Sequence, residues 1–451
     1  MLFDFVRQAG KRWPAVICTV VVIFVFIFGL SAFGGSTFIR KGVKIENVDV
    51  SGMGATEAKT LLAEKINERY DKAALSIKYG DKTWTIDLNQ LSYSFLLDEA
   101  VNQAYYLGRT GSFLEKAYNS AALAFGGKDI SIGGWYDKNR LREILKKIKT
   151  EVDEKAKNAS IAYNKGDIVI TEGVRGRNMD IDINARLLEN QLGKKIFDDF
   201  TLQVEDLEPE ITYEKIMDID SVVSEFHTVF NPADRNRSDN IRLACSKLNG
   251  RILMPGEEFS MNETLGPRTL ENGYKEAPVI YKNELIKGPG GGICQVTTTL
   301  YDTVLKAKLE VMERTHHSIP LGYVSPGQDA TIAEDTIDFR FRNNWDYPVA
   351  LAADVTGGTI SIRLLGKTPL VKNIVKLRSV ILEVVPPGAD EVVIDDSVPD
   401  GEQIVEREAK DGIRAVLYRE TFSADGTLLE RETISNDYYK PIKGLVRING
   451  N

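Results

Sequence analysis

The stretch GPGGGICQVTTTLY, residues 288–301, runs from three consecutive glycines into a segment with helical character. Glycine allows backbone conformations that other residues avoid and lets a ligand approach the chain closely. The sequence predicts a helix from about Cys294 to Leu309, which places the thiol of Cys294 in its first turn. The N–H groups and the positive dipole end of a helix stabilise a thiolate and can hold an oxyanion. The stretch therefore predicts a reactive thiol at a helix start.

A pair of histidines follows at a distance that a returning strand would cover. A helix of about fifteen residues carries the chain roughly 22 Å away from Cys294. A seven-residue strand starting at Glu310 would bring it back about 23 Å. His317 would then lie level with the sulfur, so a thiol–imidazole pair is feasible. Asp329 is the first candidate to orient the imidazole, ahead of Asp338.

Two other roles for this thiol stay open. The chain has three cysteines, Cys18, Cys245 and Cys294. A disulfide between the last two would be permitted outside the cell, although Cys245 lies on the apolar face of a predicted helix, where cysteine usually fills space. Zinc ligation is disfavoured because the thiols and the three histidines show no recognised ligand spacing. We therefore expect neither a metal nor a cofactor.

The regions around this stretch show three different patterns of predicted secondary structure. Residues 226–366 combine a helix capped at Ser238 with antiparallel strands, which predicts an α+β domain. The sequence pattern predicts a helix, a hairpin and a second helix in residues 56–108 and again in residues 137–193. We therefore expect residues 44–206 to form two tandem α+β modules. From residue 377 to 448 strands without helical periodicity predict an all-β module.

The first forty residues contain a long apolar segment. Residues 13–39 carry no charge, and residues 15–33 would span about 28 Å as a helix, close to a bilayer core of roughly 30 Å. We expect residues 1–40 to be a cytoplasmic stub and a single transmembrane signal anchor, with a cleaved signal peptide as the rival interpretation. The later domains would then lie outside the cell, on a single-pass protein of the cell membrane.

The composition excludes several classes of protein. At 451 residues, with 43% hydrophobic and 27% charged side chains, the chain fits several soluble domains rather than a polytopic membrane protein or a disordered chain. Lysine and arginine total 57 against 65 acidic residues, a net charge of −8, and no stretch is densely basic. A nucleic-acid partner is therefore not expected.

Several short motifs mark these regions, namely LGRTG (107–111), PGEEFS (255–260), GPRT (266–269), GGGICQV (290–296), ER (313–314) with HS (317–318), GQDAT (327–331), VVPP (384–387) and VRI (446–448). Through these motifs, residues 226–366 resemble the VanW domain family, and residues 44–206 resemble the tandem peptidoglycan-binding-type domains that often precede it. Residues 377–448 are similar to a G5 domain, an all-β cell-surface module. This combination is typical of the surface of Gram-positive bacteria.

The resemblance implies an activity on peptidoglycan, with stem peptides and glycan as partners. VanW-type domains have been linked to L,D-transpeptidation, which joins stem peptides in 3–3 cross-links through a cysteine. The resemblance to the VanW family implies that Cys294 forms a thioester with a donor stem and that His317 is the base. It also implies that an acceptor amine receives the acyl group. The Ser/Thr-His-Gly-Cys signature of the better-known L,D-transpeptidases is absent here. The expected substrate-binding residues are Arg268, whose planar fork suits a carboxylate, and Gly290, Gly291, Gly292, Gln295, Thr297 and Arg314.

Two further functions remain open from the sequence. A non-catalytic peptidoglycan-binding scaffold would use the glycine loop only to shape a ligand groove. A stem-peptide hydrolase would use the same thioester but release it to water.

Overall fold

The structure, a computed structural model, describes Thr19 and residues 37–281, 284–334, 336–369 and 373–450. It divides into two compact units. Among the described residues, unit 1 comprises those up to Lys155 together with Arg175–Leu207. Unit 2 comprises Ala156–Val174 together with the chain from Glu208 onward.

The predicted transmembrane helix requires a correction. Most of its segment, residues 13–39, lies outside the described residues. In the part of the chain that the structure describes, no helix is long and apolar enough to cross a membrane. The longest helix there, Ala55–Tyr70, has 16 residues with charged side chains along its length, whereas a crossing needs about 20 apolar residues. The fold class is therefore corrected to mixed α+β multidomain with a β-rich C-terminus, without the predicted transmembrane helix or single-pass location.

Unit 1 contains two hydrophobic cores covered by amphipathic helices. Ala74–Tyr79 pairs antiparallel with Lys82–Asp87 and parallel with Asp199–Thr201, so the predicted first hairpin is present. Ser112 and Glu115 form a capping box at the start of helix Phe113–Gly126. The helices are Ala55–Tyr70, Leu97–Tyr106, Phe113–Gly126, Lys138–Val152 and Ile181–Gly193, and the remaining strands are Val43–Ile45, Val48–Asp49, Ser94–Phe95, Lys128–Ile130, Gly134–Trp135, Gly176–Met179 and Val204–Leu207.

The second predicted hairpin belongs to unit 2. Strands Ser160–Asn164 and Asp167–Thr171 pair antiparallel. Ile161, which is buried, shares a hydrophobic cluster with Ala350 and Leu365 of unit 2. The sequence repeat places this hairpin in the second α+β module, but its apolar face is buried in unit 2 instead.

The central domain of unit 2 is built on a four-stranded antiparallel sheet in the order Ser221–Val229, Thr359–Gly366, Val349–Thr356 and Ile252–Leu253. Helices Arg235–Leu248 and Ile293–Lys306 pack against it around one large core. The other elements are helices Tyr213–Ile216 and Met261–Leu265, the sheet formed by Glu258–Ser260, Arg340–Arg342 and Glu310–Glu313, and the hairpin formed by Glu276–Tyr281 and Glu284–Pro289.

The C-terminal module is all β, as its strand pattern predicts. Gly412–Phe422 is the central strand of a sheet between Ile374–Val385 and Leu428–Tyr439. A second sheet has the order Glu391–Ile394, Leu445–Ile448 and Gln403–Arg407. Leu417, on the central strand, is fully buried in the core of the preceding domain, so the module is packed onto that domain.

Candidate active site around Cys294

The helix that carries Cys294 is the buried centre of the domain. It spans Ile293–Lys306, and its N-cap Gly292 has a φ of 103°. Every residue from Gln295 to Leu305 is buried, whereas Cys294 is partly exposed. The thiol therefore lies in the first turn of the helix and can be reached from outside.

The glycine loop before this helix is held in place by its neighbours. A Cβ atom on Gly291 would lie 2.6 Å from the carbonyl oxygen of Pro278, so no side chain fits there. The buried amide of Asn240 donates to the carbonyls of Gly291, at 3.1 Å, and Lys275, at 2.9 Å. Gly290 and Gly292 have positive φ, where other residues are strained. The loop thus has a single defined path beside the thiol.

His317 lies between the thiol and a buried carboxylate. Its Nδ1–H donates to Asp329 Oδ2 over 2.8 Å, and its backbone N–H donates to the same oxygen over 2.6 Å. The imidazole also interacts with the thiol of Cys294 and lowers the pKa of that thiol. Because Nδ1 is bonded to Asp329, Nε2 is the ring nitrogen that remains for this interaction. Thr331 Oγ1 lies 3.5 Å from the same sulfur. The structure therefore brings together the thiol, base and carboxylate that the sequence singles out.

Asp329 receives further hydrogen bonds from Tyr439 and Arg314. The hydroxyl of Tyr439 donates to Asp329 Oδ1. Arg314 Nε donates to the main-chain oxygen of Asp329 over 2.8 Å, and its Nη1 lies 2.8 and 2.9 Å from the two carboxylate oxygens of Asp437. Asp437 and Tyr439 belong to strand Leu428–Tyr439 of the C-terminal module.

The ionisation of the pair favours a thiolate. Burial raises the pKa of Cys294, but the hydrogen bond and charge of His317 outweigh it and lower the pKa to about 7. Burial lowers the pKa of His317, but hydrogen bonds with Asp329 and Cys294 outweigh it and raise the pKa to about 9. Burial raises the pKa of Asp329 as well, yet its bonds with His317 keep the pKa below its ordinary value. Between about pH 7 and 9 the pair is therefore a thiolate and an imidazolium.

A cavity of about 500 Å³ opens beside the thiol. Arg268 and Glu334 lie on its wall as an ion pair, with Arg268 Nε 3.3 Å from Glu334 Oε1. Arg237 Nη2 donates to Gln295 Oε1 over 2.6 Å. Apolar side chains form much of the rest of the lining, namely Pro278, Val279, Ile293, Leu321, Ile332 and Ile337. The cavity thus combines an apolar surface with groups that bind both carboxylates and ammonium groups.

The predicted substrate-binding residues fall into two groups. One group lines the cavity and comprises Arg268, Gly290, Gly291, Gly292 and Gln295. Within it, Gln295 is buried and its amide donates to the hydroxyl of Thr228 and the carbonyl of Val229. The other group, Thr297 and Arg314, lies outside the cavity lining, with Thr297 fully buried.

Sequence reasoning missed several residues of the site. Arg237, Tyr323 and Thr331 line the cavity. For Arg237 a signal existed, since it lies one turn before Ile241 on the apolar face of its helix, where an unexplained charge is unusual. Tyr439, which is more than a hundred residues from Asp329, offered no local signal.

The competing disulfide is not formed. Cys245 and Cys294 are both free cysteines. Cys245 is buried, and burial raises its pKa to about 12, so it remains a neutral thiol. The two thiols therefore differ strongly in acidity, and Cys294 is the acidic one.

On this α+β fold, an acidic thiol, an imidazole and a buried carboxylate lie together beside a cavity. Comparisons with known proteins specify the family. Residues 84–201 match the family described as "Putative peptidoglycan binding domain", residues 236–365 match "VanW like protein", and residues 379–449 match "G5 domain". The chain therefore carries regions that match these three domain families, in the order that its motifs predict.

Two curated relatives match part of the chain. "Uncharacterized protein YoaR" of Bacillus subtilis (strain 168) is 41% identical over 142 residues, which are 32% of this chain and 47% of the relative. "Vancomycin B-type resistance protein VanW" of Enterococcus faecalis (strain ATCC 700802 / V583) is 32% identical over 116 residues, 25% of this chain and 42% of the relative. Each match thus spans less than half of the relative. Among solved structures, "Crystal structure of HP0197-G5" is 22% identical and covers 17% of this chain and 97% of that chain, with a TM-score of 0.12.

Proposed function

We propose that this cell-wall-associated protein acts on peptidoglycan as a cysteine-dependent L,D-transpeptidase that forms 3–3 cross-links. The observation that carries the proposal is the Cys294–His317–Asp329 arrangement at the edge of the cavity. The peptidoglycan-binding and G5 domains on the same chain support binding to cell-wall material and therefore an extracellular site of action.

The first half-reaction would acylate the thiol. The thiolate of Cys294 attacks the carbonyl carbon of an amide in the donor stem, and a C–S bond forms. The C–N bond then breaks, and the imidazolium of His317 gives its proton to the departing amine. The N–H groups of Ile293 and Gln295 already donate to the carbonyls of Gly290 and Gly292, so neither of these two groups is free to hold the oxyanion.

The second half-reaction would transfer the acyl group. The neutral imidazole of His317 takes a proton from the acceptor amine, which attacks the thioester carbon. A C–N bond forms, the C–S bond breaks, and the thiolate returns. An acceptor amine next to a carboxylate, as in diaminopimelate, would match the Glu334 and Arg268 pair on the cavity wall.

Mass spectrometry of muropeptides tests this proposal directly. The purified chain is incubated with disaccharide-tetrapeptides, and the products are separated and sequenced. The wild-type protein should form 3–3 dimers and a transient acyl adduct on Cys294, whereas Cys294→Ala should form neither. Cys245→Ser is the matched control and should keep the activity, because Cys245 is buried in the core.

The other outcomes either contradict the proposal or identify a different function. Dimers from Cys294→Ala at the wild-type level would contradict the proposal. Shortened stems without dimers would identify a hydrolase, since water then replaces the amine. Binding to purified cell walls without any turnover, unchanged in Cys294→Ser, would identify a scaffold.

A further inference from the structure

The C-terminal module reaches the carboxylate of the candidate site through a buried tyrosine. Tyr439 is fully buried, and its hydroxyl accepts a hydrogen bond from the N–H of Gly327 over 2.7 Å while it donates to Asp329 Oδ1. The other oxygen, Oδ2, is bonded to His317. Arg314 Nη2 also lies 3.5 Å from Oδ1. The carboxylate is thus held by His317 and Arg314 of the central domain and by Tyr439 of the C-terminal module.

A buried ion pair supports the same loop. Arg314 binds Asp437 with Nη1 and also donates to the carbonyls of Gly327, at 3.1 Å, and Asp329, at 2.8 Å. The side chains of Arg314 and Asp437 are 9% and 8% exposed. Removing one partner of a buried ion pair strongly destabilises a protein, because the other charge is left buried without a partner.

Packing around the loop leaves little freedom. A Cβ atom on Gly327 would lie 3.1 Å from the Cβ of Leu417, so the module's core strand touches the loop directly. Ser379 Oγ donates to the carbonyl of Pro326 over 2.6 Å. Arg419 Nη1 donates to the carbonyl of Leu305, at the end of the Cys294 helix, over 3.2 Å.

We infer that the C-terminal module helps to orient the side chains of the thiol site and that its Tyr439 and Asp437 are positioning residues. They hold the Gly327–Asp329 segment, and Asp329 in turn fixes the ring orientation of His317. A module that served only as a spacer would not need a buried hydroxyl and a buried carboxylate directed at this loop. The inference rests on the proposed function for its kinetic readout, but its spectroscopic readout is independent of turnover.

The test compares Tyr439→Phe with Tyr438→Phe in the full chain. Tyr438 is the matched control because it is the adjacent residue on the same strand and its ring lies 4.0 Å from the Arg414 guanidinium, away from Asp329. Tyr439→Phe should lower kcat about tenfold with KM unchanged, since Tyr439 does not line the cavity but its hydrogen bond to a charged group is lost. Tyr438→Phe should leave both constants unchanged.

Proton NMR gives the readout that is independent of activity. In the wild-type protein the Nδ1 proton of His317 should give a low-field resonance, because it is shared with a buried carboxylate. Tyr439→Phe should shift this resonance upfield or broaden it, and Tyr438→Phe should not. If Tyr439→Phe does not fold, Asp437→Asn serves as the second variant with the same expectations.

The outcomes separate the two proposals. Unchanged kcat and an unchanged His317 resonance in a folded Tyr439→Phe or Asp437→Asn variant would overturn the inference. A shifted resonance in a protein whose wild type forms no cross-links would reject the proposed function and leave the positioning role standing.

Discussion

At the residue scale the decisive property is the acidity of the Cys294 thiol. Its pKa of about 7 means that half of the thiol is ionised at that pH and that the thiolate fraction falls as the pH drops further. The rate of iodoacetamide labelling at Cys294 should therefore rise through a midpoint near pH 7, below the ordinary thiol value of about 8.5. Peptide mass spectrometry after timed labelling from pH 5 to 10 measures it.

Two variants control this measurement. His317→Gln should move the midpoint upward, because burial then acts on the thiol without an opposing imidazolium. Cys245→Ser should leave the profile unchanged, since the Cys245 thiol is buried and neutral. A wild-type midpoint at 8.5 or above, or a profile that His317→Gln does not alter, would show that the imidazole does not activate the thiol.

The pH dependence of acyl transfer follows from the same two groups. Below about pH 7 the thiol of Cys294 is protonated, and above about pH 9 His317 loses the proton that the leaving amine needs. We therefore expect the rate of acyl transfer to depend on pH as a bell-shaped curve with its maximum between about pH 7 and 9. The two apparent pKa values of this curve belong to the coupled pair rather than to either residue.

At the element scale the glycine loop sets the position of the Cys294 helix. Gly292 has a φ of 103°, and a Cβ atom there would lie 2.9 Å from atoms of both Arg237 and Ile241. Gly292→Ala should therefore lower the free energy of unfolding by the cost of the strained backbone, about 1–3 kcal/mol, and by an additional clash. Urea unfolding followed by fluorescence measures the change.

Gly426→Ala is the control for backbone strain alone. Gly426 has a φ of 88°, but nothing lies within 4 Å of an added Cβ atom. The Gly292 variant should lose more stability than the Gly426 variant, and the difference reports the crowding between the loop and helix Arg235–Leu248. Equal losses would mean that the loop moves freely and does not position the thiol.

The elements of the site differ in how far local sequence predicts them. A glycine run followed by a helical segment is a local pattern, so the helix start at Cys294 could be predicted. The return of the chain to His317 could be anticipated from helix and strand lengths. The strand itself is shorter than the predicted seven residues, since it spans only Glu310–Glu313. Tyr439 and Arg237 could not be assigned to the site from the sequence, because their contacts depend on how separate elements pack.

At the scale of the whole molecule the order of domains could be predicted from the sequence. The predicted transmembrane helix and the predicted module of the second hairpin were wrong. The strand pattern and motifs of each domain are contained within it, and the family matches confirm their order. The transmembrane helix over residues 13–39 rested on hydropathy alone, and the described helices do not support it. The second hairpin, residues 160–171, was assigned by the internal repeat, but burial of its apolar face places it in unit 2.

The assignment of this hairpin makes a prediction that separates the two units. Ile161 is buried against Ala350 and Ala352 of unit 2, whereas Leu145 is buried in a core of unit 1 that contains Leu75. Each truncation to alanine should lower the free energy of unfolding of the unit that loses the contact by about 2–5 kcal/mol. Hydrogen exchange with mass spectrometry should therefore show opposite patterns for the two variants.

Ile161→Ala should speed exchange in strand Val349–Thr356 and leave strand Ala74–Tyr79 protected, and Leu145→Ala should do the reverse. Because the two substitutions remove the same number of carbon atoms from buried sites, each serves as the control for the other. Faster exchange of Ala74–Tyr79 in Ile161→Ala, with Val349–Thr356 unchanged, would place the hairpin in unit 1. The internal repeat would then describe the folding units better than the burial of the hairpin does.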